Sequence, residues 1–197
     1  MEQEKYKAVI FDFFGVISSE VAPVWFKEYL PREDMAELRK TYLEPSDIGE
    51  MSAEELFDQL SKLVPLSPQE IRRQWLALTV VRHDMIDLIK KLSGRYKLAI
   101  LSDTQSSLFR EIIAINKLEG LFDNIFVSSE IRMTKADIKI YQLALKELGV
   151  RAEESIFTDD KAANVERARS LGIKGFVFTD RPTLENDIKK EGLWLTP

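Results

Sequence analysis

Short apolar runs alternate with amphipathic segments over most of this chain. The apolar runs have the length and composition of buried strands, and they lie at residues 8–11, 97–101, 124–127, 155–158 and 174–178. The segments before, between and after the last four runs place apolar side chains at helical spacing, at residues 85–92, 106–115, 138–148, 162–171 and 183–190. Strands that alternate with helices of this length predict an α/β fold, with a parallel sheet of about five strands joined by right-handed crossovers.

The stretch between the first two predicted strands follows a different pattern. From Ser18 to about Val81 strand-like runs disappear and helix start signals follow one another. Pro31 before an acidic turn predicts a helix start, Ser52-Ala53-Glu54-Glu55 is a capping box, and Ser67 stands before Pro68 in the same role. We therefore expect a helical insert, residues 18–81, within a core made of residues 1–17 and 82–197.

Composition narrows the class of protein. The chain has 197 residues, of which 45% are hydrophobic and 31% charged, as is usual for a globular protein with a substantial core. A net charge of −5 argues against nucleic acid or an anionic membrane as the main partner. The sequence has no cysteine, no apolar run long enough to span a membrane and no secretory signal, so we expect a cytoplasmic protein. Its oligomeric state cannot be derived from the pattern.

Polar residues stand where three of the predicted strands end. They are Asp12, the pair Ser102-Asp103, and the pair Asp159-Asp160. Because the carboxyl ends of parallel strands lie at one edge of the sheet, these groups are expected to converge there, together with Lys135 from the segment after the third strand.

Each of these residues also fits an ordinary structural role when it is taken alone. Asp12 could open a turn, Ser102 and the pair Asp159-Asp160 could cap helices, and Lys135 could be a solvated surface lysine. Their joint occurrence in this order favours a functional site. The remaining candidates are weaker. His83 forms no motif with a nearby acid or nucleophile and is expected to be structural or at the surface, and Arg167 and Arg169 are typical of an exposed helix face.

Carboxylates without cysteines or a histidine pair are ligands for a hard cation such as Mg²⁺, which also binds phosphate oxygens. A carboxylate that faces a metal-bound phosphate can attack phosphorus and form an aspartyl-phosphate. Lys135 and the hydroxyl of Ser102 would then neutralise and hydrogen-bond the phosphoryl oxygens.

Four segments in this order resemble the motifs of the haloacid dehalogenase-like hydrolase superfamily, over nearly the whole chain. Residues 11–16 resemble the first motif, which carries the nucleophilic Asp, and residues 101–103 resemble the second, with its phosphate-binding Ser or Thr. Residues 134–137, followed by Ile140-Tyr141, resemble the third, whose lysine pairs with the nucleophile, and residues 157–165 resemble the fourth, which supplies metal-binding acid.

The resemblance implies a Rossmann-like core with a small helical cap over the site, and the segment 49–57 is similar to the cap of sugar-phosphate phosphatases and of the phosphatase domain of soluble epoxide hydrolase. It implies a Mg²⁺-dependent phosphatase of a small phosphorylated metabolite, such as a sugar phosphate, that forms an aspartyl-phosphate. The roles carried over from the family fall on the following residues: Asp12 as nucleophile, Ser102, Asp103 and Lys135 around the phosphate, and Asp12, the Phe14 carbonyl and Asp159 on Mg²⁺, with Asp160 assisting.

Two positions depart from the family pattern. Phe14 stands where most family phosphatases have a second Asp that acts as general acid and base, and Ala136 stands where proline is usual after the lysine. General acid–base help contributes a factor of about 10²–10⁴, so Phe14 predicts a slower enzyme or one that needs a good leaving group. The cap residues that face the substrate cannot be chosen from the pattern among Trp25, Tyr29, Tyr42 and Glu50.

Two other functions stay open at this point. A 2-haloacid dehalogenase attacks carbon with the same Asp, needs no metal and usually has an aromatic residue at the position of Phe14; the pair Asp159-Asp160 argues against it. A binding or regulatory module with weak catalysis is the other, although a scaffold has no physical need for a buried charged cluster. A phosphomutase would need the acid–base residue that is missing.

Overall fold

The computed structural model describes residues 5–193, and its centre is a five-stranded sheet. The strands are β1 (Ala8–Phe11), β2 (Lys97–Ser102), β3 (Asn124–Val127), β4 (Ser155–Asp159) and β5 (Lys174–Val177). They lie in the order β3-β2-β1-β4-β5, and every neighbouring pair is parallel. Every side chain of β1 and β4 is buried. The prediction of a parallel, Rossmann-like α/β sheet is confirmed.

Five helices occupy the insert between β1 and β2. They are α1 (Ala22–Tyr29), α2 (Met35–Leu38), α3 (Glu44–Asp47), α4 (Ala53–Ser61) and α5 (Pro68–Leu78), and a π-helical turn (Arg39–Leu43) joins α2 to α3. The capping box at Ser52 and the cap at Ser67 are both present. The expected helix start at Pro31 is wrong: Pro31 to Glu33 form a turn, and α2 begins after Asp34, whose Oδ1 accepts a hydrogen bond from the Ala36 N–H at 2.8 Å.

The remaining helices flank the sheet. They are α6 (His83–Leu92), α7 (Ser106–Ile115), α8 (Ser128–Ile131), α9 (Lys139–Leu148), α10 (Ala162–Ser170) and α11 (Arg181–Lys190), with a 3₁₀ turn at Ala152–Glu154. The short helix α8 has no counterpart in the sequence prediction, because its four residues are too few to show a periodic pattern. Of the helices found in residues 5–193, none combines the length and the apolar character that crossing a membrane requires.

The two chain segments that connect the insert to the core run side by side. Ser18 bridges to Val81 in antiparallel fashion, the Ser19 N–H donates to the carbonyl of Val80 at 3.0 Å, and the Arg82 N–H donates to the carbonyl of Ile17 at 2.9 Å. The predicted boundaries of the insert, 17/18 and 81/82, fall at this pairing. The division of the chain into two domains remains a prediction, since a single hydrophobic cluster contains side chains from both parts.

Strand register determines which residues meet at the edge of the sheet. Phe11 of β1 pairs with Thr158 of β4 and with Ile100 of β2. The Asp12 N–H donates to the carbonyl of Thr158 at 2.9 Å, so Asp12 and Asp159 follow these positions side by side. The polar strand ends therefore reach the same edge.

Candidate active site

Lys135 lies between two of the strand-end carboxylates. Its Nζ is 2.7 Å from Oδ2 of Asp12 and 2.6 Å from Oδ2 of Asp159. The three side chains are buried, and Lys135 is only 1% exposed. A lysine this deeply buried needs ionic partners, so the interpretation of Lys135 as a solvated surface residue is wrong.

The backbone around Lys135 is fixed by the neighbouring elements. Its N–H donates to Oδ1 of Asp103 at 2.8 Å. Asp103, which directly follows β2, therefore holds the loop that carries Lys135. The hydroxyl of Tyr141, on α9, lies 3.1 Å from the carbonyl of Lys135 and 3.2 Å from that of Asn164. Asp103 therefore positions Lys135 through its main chain.

The oxygens of Asp159 are fully used as hydrogen-bond acceptors. Oδ1 accepts the Lys161 N–H at 2.7 Å, and the side-chain amide of Asn164 donates to both oxygens, at 3.2 and 3.0 Å. Together with Lys135, these donors occupy the carboxylate on both sides. Asp159 is thus the group that holds the lysine and the start of α10 in place.

Asp160, unlike Asp159, has a carboxylate oxygen without a hydrogen-bond partner in the described part of the chain. It is half-buried, and its Oδ1 is buried without a hydrogen-bond partner among residues 5–193. A buried carboxylate oxygen without a donor is costly. One ligand oxygen each from Asp12, Asp159 and Asp160 lie within 4.8 Å of one another, so Asp160 belongs to the same acidic cluster.

Gly15 allows the loop after β1 to approach Asp160. Its φ is +85°, and a Cβ at this position would lie 2.6 Å from Cγ and from Oδ2 of Asp160. Both the backbone conformation and the close approach require glycine. The first and fourth motifs are in this way packed against each other at the cluster.

Burial and neighbouring charge shift the pKa values of the buried trio. Burial raises the pKa of Asp12 well above its usual value; Lys135 opposes this and Asp159 adds to it. Burial also disfavours the charged forms of Asp159 and Lys135. At Asp159 the charge of Lys135 and the hydrogen bonds from Lys135, Lys161 and Asn164 outweigh burial and hold the pKa below its usual value. At Lys135 the carboxylates of Asp12, Asp159 and Asp103 outweigh burial and hold its pKa above the usual value.

The cluster has the donor set and the charge of a site for a hard divalent cation. The cluster has three carboxylates and one buried ammonium group, which pairs with two of them, so negative charge is in excess. Oxygen donors suit Mg²⁺, and the partnerless Oδ1 of Asp160 offers a ready ligand. A cation beside Asp12 would also favour its ionised form.

A cavity of about 690 Å³, including its open mouth, lies over this edge of the sheet. Asp12, Phe14, Asp103 and Lys135 line it from the core. The insert contributes nine of the lining residues, and four of them, Arg39, Leu43, Asp47 and Trp75, form what we call the cap wall.

The cap residues singled out from the sequence take no part in this cavity. Trp25, Tyr29, Tyr42 and Glu50 do not line it. Trp25 is instead buried within the insert, where its ring stacks on Tyr29 at 4.8 Å and its indole N–H donates to Gln74.

Ser102 stands apart from the other predicted site residues. It is fully buried at the end of β2, and its Oγ has no hydrogen-bond partner within residues 5–193. It does not cap α7, because Gln105 accepts the hydrogen bond from Leu108 there. Its hydroxyl is thus free to donate a hydrogen bond, but Ser102 is not among the residues that line the cavity.

Some residues outside the site were correctly set aside, and others in the site were missed. His83 is exposed at the start of α6, away from the cavity. Asn164 could have been noticed, because the first turn of a helix that follows Asp159 places a side chain back over that carboxylate. The cap wall gave no comparable indication in the sequence.

Known proteins resemble this chain in sequence and in fold. Residues 9–178 match the family model described as haloacid dehalogenase-like hydrolase. The sesquiterpene phosphatase of Aspergillus oryzae is 27% identical over 89% of this chain and 91% of its own length. The phosphorylated carbohydrates phosphatase of Thermotoga maritima is 28% identical over 85% of this chain and 82% of its own length. A solved HAD-family enzyme of Bacteroides thetaiotaomicron, in complex with magnesium and inorganic phosphate, has a TM-score of 0.77 and 23% identity, over 91% of this chain and 98% of that one.

Proposed function

This chain belongs to the haloacid dehalogenase-like hydrolase family, and we propose that it is a Mg²⁺-dependent phosphatase that hydrolyses small phosphoric monoesters through an aspartyl-phosphate on Asp12. The observation that carries the proposal is the buried Asp12–Lys135–Asp159 arrangement at the base of the cavity, beside Asp160. A nucleophilic carboxylate, a fixed cation and an acidic cluster are the parts that phosphoryl transfer requires.

Each group has a definite task in this proposal. An oxygen of Asp12 attacks phosphorus, and the ammonium group of Lys135 neutralises the phosphoryl oxygens. The free hydroxyl of Ser102 donates to one of these oxygens, and Asp103 holds Lys135 through its main chain. Water then releases phosphate from Asp12.

The residues that would hold Mg²⁺ are Asp12, the main-chain carbonyl of Phe14 and Asp160. The resemblance to the family implies a direct contact to the ion for Asp159 and an assisting one for Asp160. The hydrogen bonds favour the reverse, because both oxygens of Asp159 are already used and Oδ1 of Asp160 is not. The ion, when bound, supplies charge neutralisation at the phosphoryl group.

The cavity guides the choice of substrates to test. Leu43 and Trp75 give its cap wall an apolar part, while Arg39 and Asp47 give it a polar part. Phosphatases similar to this chain are named for a sesquiterpene and for phosphorylated carbohydrates. We therefore propose a screen that pairs sugar phosphates with terpenyl phosphates. The negative net charge and the cysteine-free sequence support a cytoplasmic enzyme without a nucleic-acid partner.

The test is phosphate release from this panel with Mg²⁺, with EDTA, and with Mg²⁺ restored. We expect hydrolysis of at least one ester, and we expect EDTA to abolish it and added Mg²⁺ to restore it. Hydrolysis that continues unchanged after the ion is removed would contradict the metal dependence. An absence of hydrolysis of every ester, p-nitrophenyl phosphate included, would favour a binding or regulatory module.

A second candidate function follows from Phe14, whose ring lines the cavity where most family phosphatases have an acid. A 2-haloacid dehalogenase would use Asp12 to displace halide from carbon. Halide release from 2-chloropropionate in the presence of EDTA, without ester hydrolysis, would establish that activity instead.

A further inference from the structure

Four carboxylate side chains line the cavity, and three of them are engaged. Asp12 binds Lys135, Asp103 accepts the Lys135 N–H, and Glu20 lies 3.7 Å from Nζ of Lys161. The carboxyl group of Asp47 makes no hydrogen bond or ion pair with any residue in the described range 5–193. Its proton is therefore not held by another group of the described residues, and a ligand in the cavity can accept it.

The main chain at Asp47 is fastened to the core. The hydroxyl of Ser128 donates to the carbonyl of Asp47 at 2.5 Å and accepts the Thr104 N–H at 2.9 Å. Two residues further on, Gly49 has a φ of +75°, and a Cβ there would lie 2.5 Å from the carbonyl oxygen of Ser129. Asp47 therefore lies where the insert is in direct contact with the core.

The surroundings of Asp47 keep its proton exchangeable near neutral pH. Burial raises the pKa of its carboxyl to about 7, and the nearby Asp103 contributes in the same direction. Arg39 on the π-helical turn, Lys161 before α10 and Lys135 after α8 act against this rise. Asp12 and Glu20 are the other charged groups of the cavity.

We propose that Asp47 is the general acid and base of the reaction, in place of the carboxyl group that position 14 lacks. This inference rests on the proposed function. The insert thereby supplies a catalytic residue and not only a cover that keeps water out.

The proton balance of both steps closes with Asp47. In the first, Asp12 attacks phosphorus, the bond from phosphorus to the ester oxygen breaks, and the protonated carboxyl of Asp47 gives its proton to that oxygen. The alcohol leaves, with the phosphoryl group on Asp12 and Asp47 ionised. In the second, Asp47 takes a proton from water as the water oxygen attacks phosphorus, the bond to Asp12 breaks, and inorganic phosphate, ionised Asp12 and protonated Asp47 result.

Two phosphate esters and one isosteric variant test this role. An alkyl phosphate needs a proton on its leaving oxygen, whereas p-nitrophenolate leaves as a stable anion. In Asp47→Asn we expect kcat/KM with Mg²⁺ to fall about 10²-fold or more for the alkyl ester, and to change by less than about threefold for p-nitrophenyl phosphate. Glu44→Gln, at an exposed position of the same helix α3, is the matched control and should leave both values unchanged.

The pH dependence of kcat/KM distinguishes a catalytic role of Asp47 from a purely structural one. For the alkyl ester, the wild-type kcat/KM should fall above about pH 7 as Asp47 loses its proton, and Asp47→Asn should lack this decline. Because the buried carboxylate costs stability when ionised, Asp47→Asn should fold at least as well as the wild type above pH 7.

Equal losses for the two esters, or no loss for either, would overturn the role of Asp47. Failure of the wild type to hydrolyse p-nitrophenyl phosphate would instead overturn the proposed function, and this inference with it.

Discussion

The cavity has two sides that are built in different ways. On the core side Asp12, Lys135, Asp103 and Asp159 form a continuous network, here called the sheet edge, in which each side chain has at least one partner between 2.6 and 2.8 Å. On the cap wall the carboxyl of Asp47 has no such partner, and its main chain is tied to the core through Ser128. A rigid, buried sheet edge suits the chemistry of phosphorus, and a sparsely bonded cap wall suits proton exchange and the choice of the leaving alcohol.

Loss of the ammonium group should have the largest effect, because it destroys the sheet edge. Lys135→Met leaves Asp12 and Asp159 buried without their cation. Breaking a buried ion pair on one side costs about 3–5 kcal/mol, so we expect a loss of that size in the free energy of unfolding, and loss of ester hydrolysis. Urea denaturation of the metal-free protein measures the first quantity.

Lys146→Met is the control for that experiment, since this lysine is exposed on α9. It should unfold within about 0.5 kcal/mol of the wild type. A similar result for Lys135→Met would contradict the view that the sheet edge depends on the ion pairs.

A substitution of Gly15 tests the position of Asp160 without changing any residue of the sheet edge. In Gly15→Ala the new Cβ would push the carboxylate of Asp160 away, so the Mg²⁺ concentration for half-maximal activity should rise by about 10-fold or more. A Mg²⁺ titration of p-nitrophenyl phosphate hydrolysis measures it. Gly94→Ala carries similar backbone strain, at a φ of +78°, with nothing within 4 Å of its Cβ. Equal shifts in both variants would exclude Asp160 as a ligand.

The smallest expected effect lies at the link between the two sides. Ser128→Ala removes the hydroxyl that joins Asp47 to Thr104. A hydrogen bond contributes about 1 kcal/mol, so kcat/KM for an alkyl phosphate should fall by about fivefold. In Ser129→Ala the deleted hydroxyl has no partner among the described residues, so this variant should match the wild type. Indistinguishable rates for the two variants would show that the link does not position Asp47.

The two sides also differ in how much of them the sequence predicts. At the sheet edge, register alone brings Asp12 beside Asp159, and the direction of parallel strands brings Lys135 to the same place. The division of labour between Asp159 and Asp160 depends on hydrogen bonds from Lys161 and Asn164, which no pattern of apolar positions encodes.

The residues of the cap wall could not be predicted from the sequence, for a physical reason. Whether Trp25 or Trp75 faces the cavity depends on how the insert helices pack on one another and on the core, which is a matter of long-range contacts. Both are buried aromatic residues of the insert, and only Trp75 reaches the cavity. Asp47 ends a four-residue helix after a π-helical turn, where helical periodicity does not specify the face.

The central claim, that Asp12 carries the phosphoryl group during turnover, can be tested by trapping the intermediate. The enzyme is mixed with Mg²⁺ and excess p-nitrophenyl phosphate, quenched in acid, digested and analysed by mass spectrometry, beside Asp12→Asn. We expect one phosphoryl group on the peptide that contains Asp12, and neither a phosphoryl group nor turnover in the variant. A phosphoryl group on another residue, or ester hydrolysis that persists in Asp12→Asn, would contradict it.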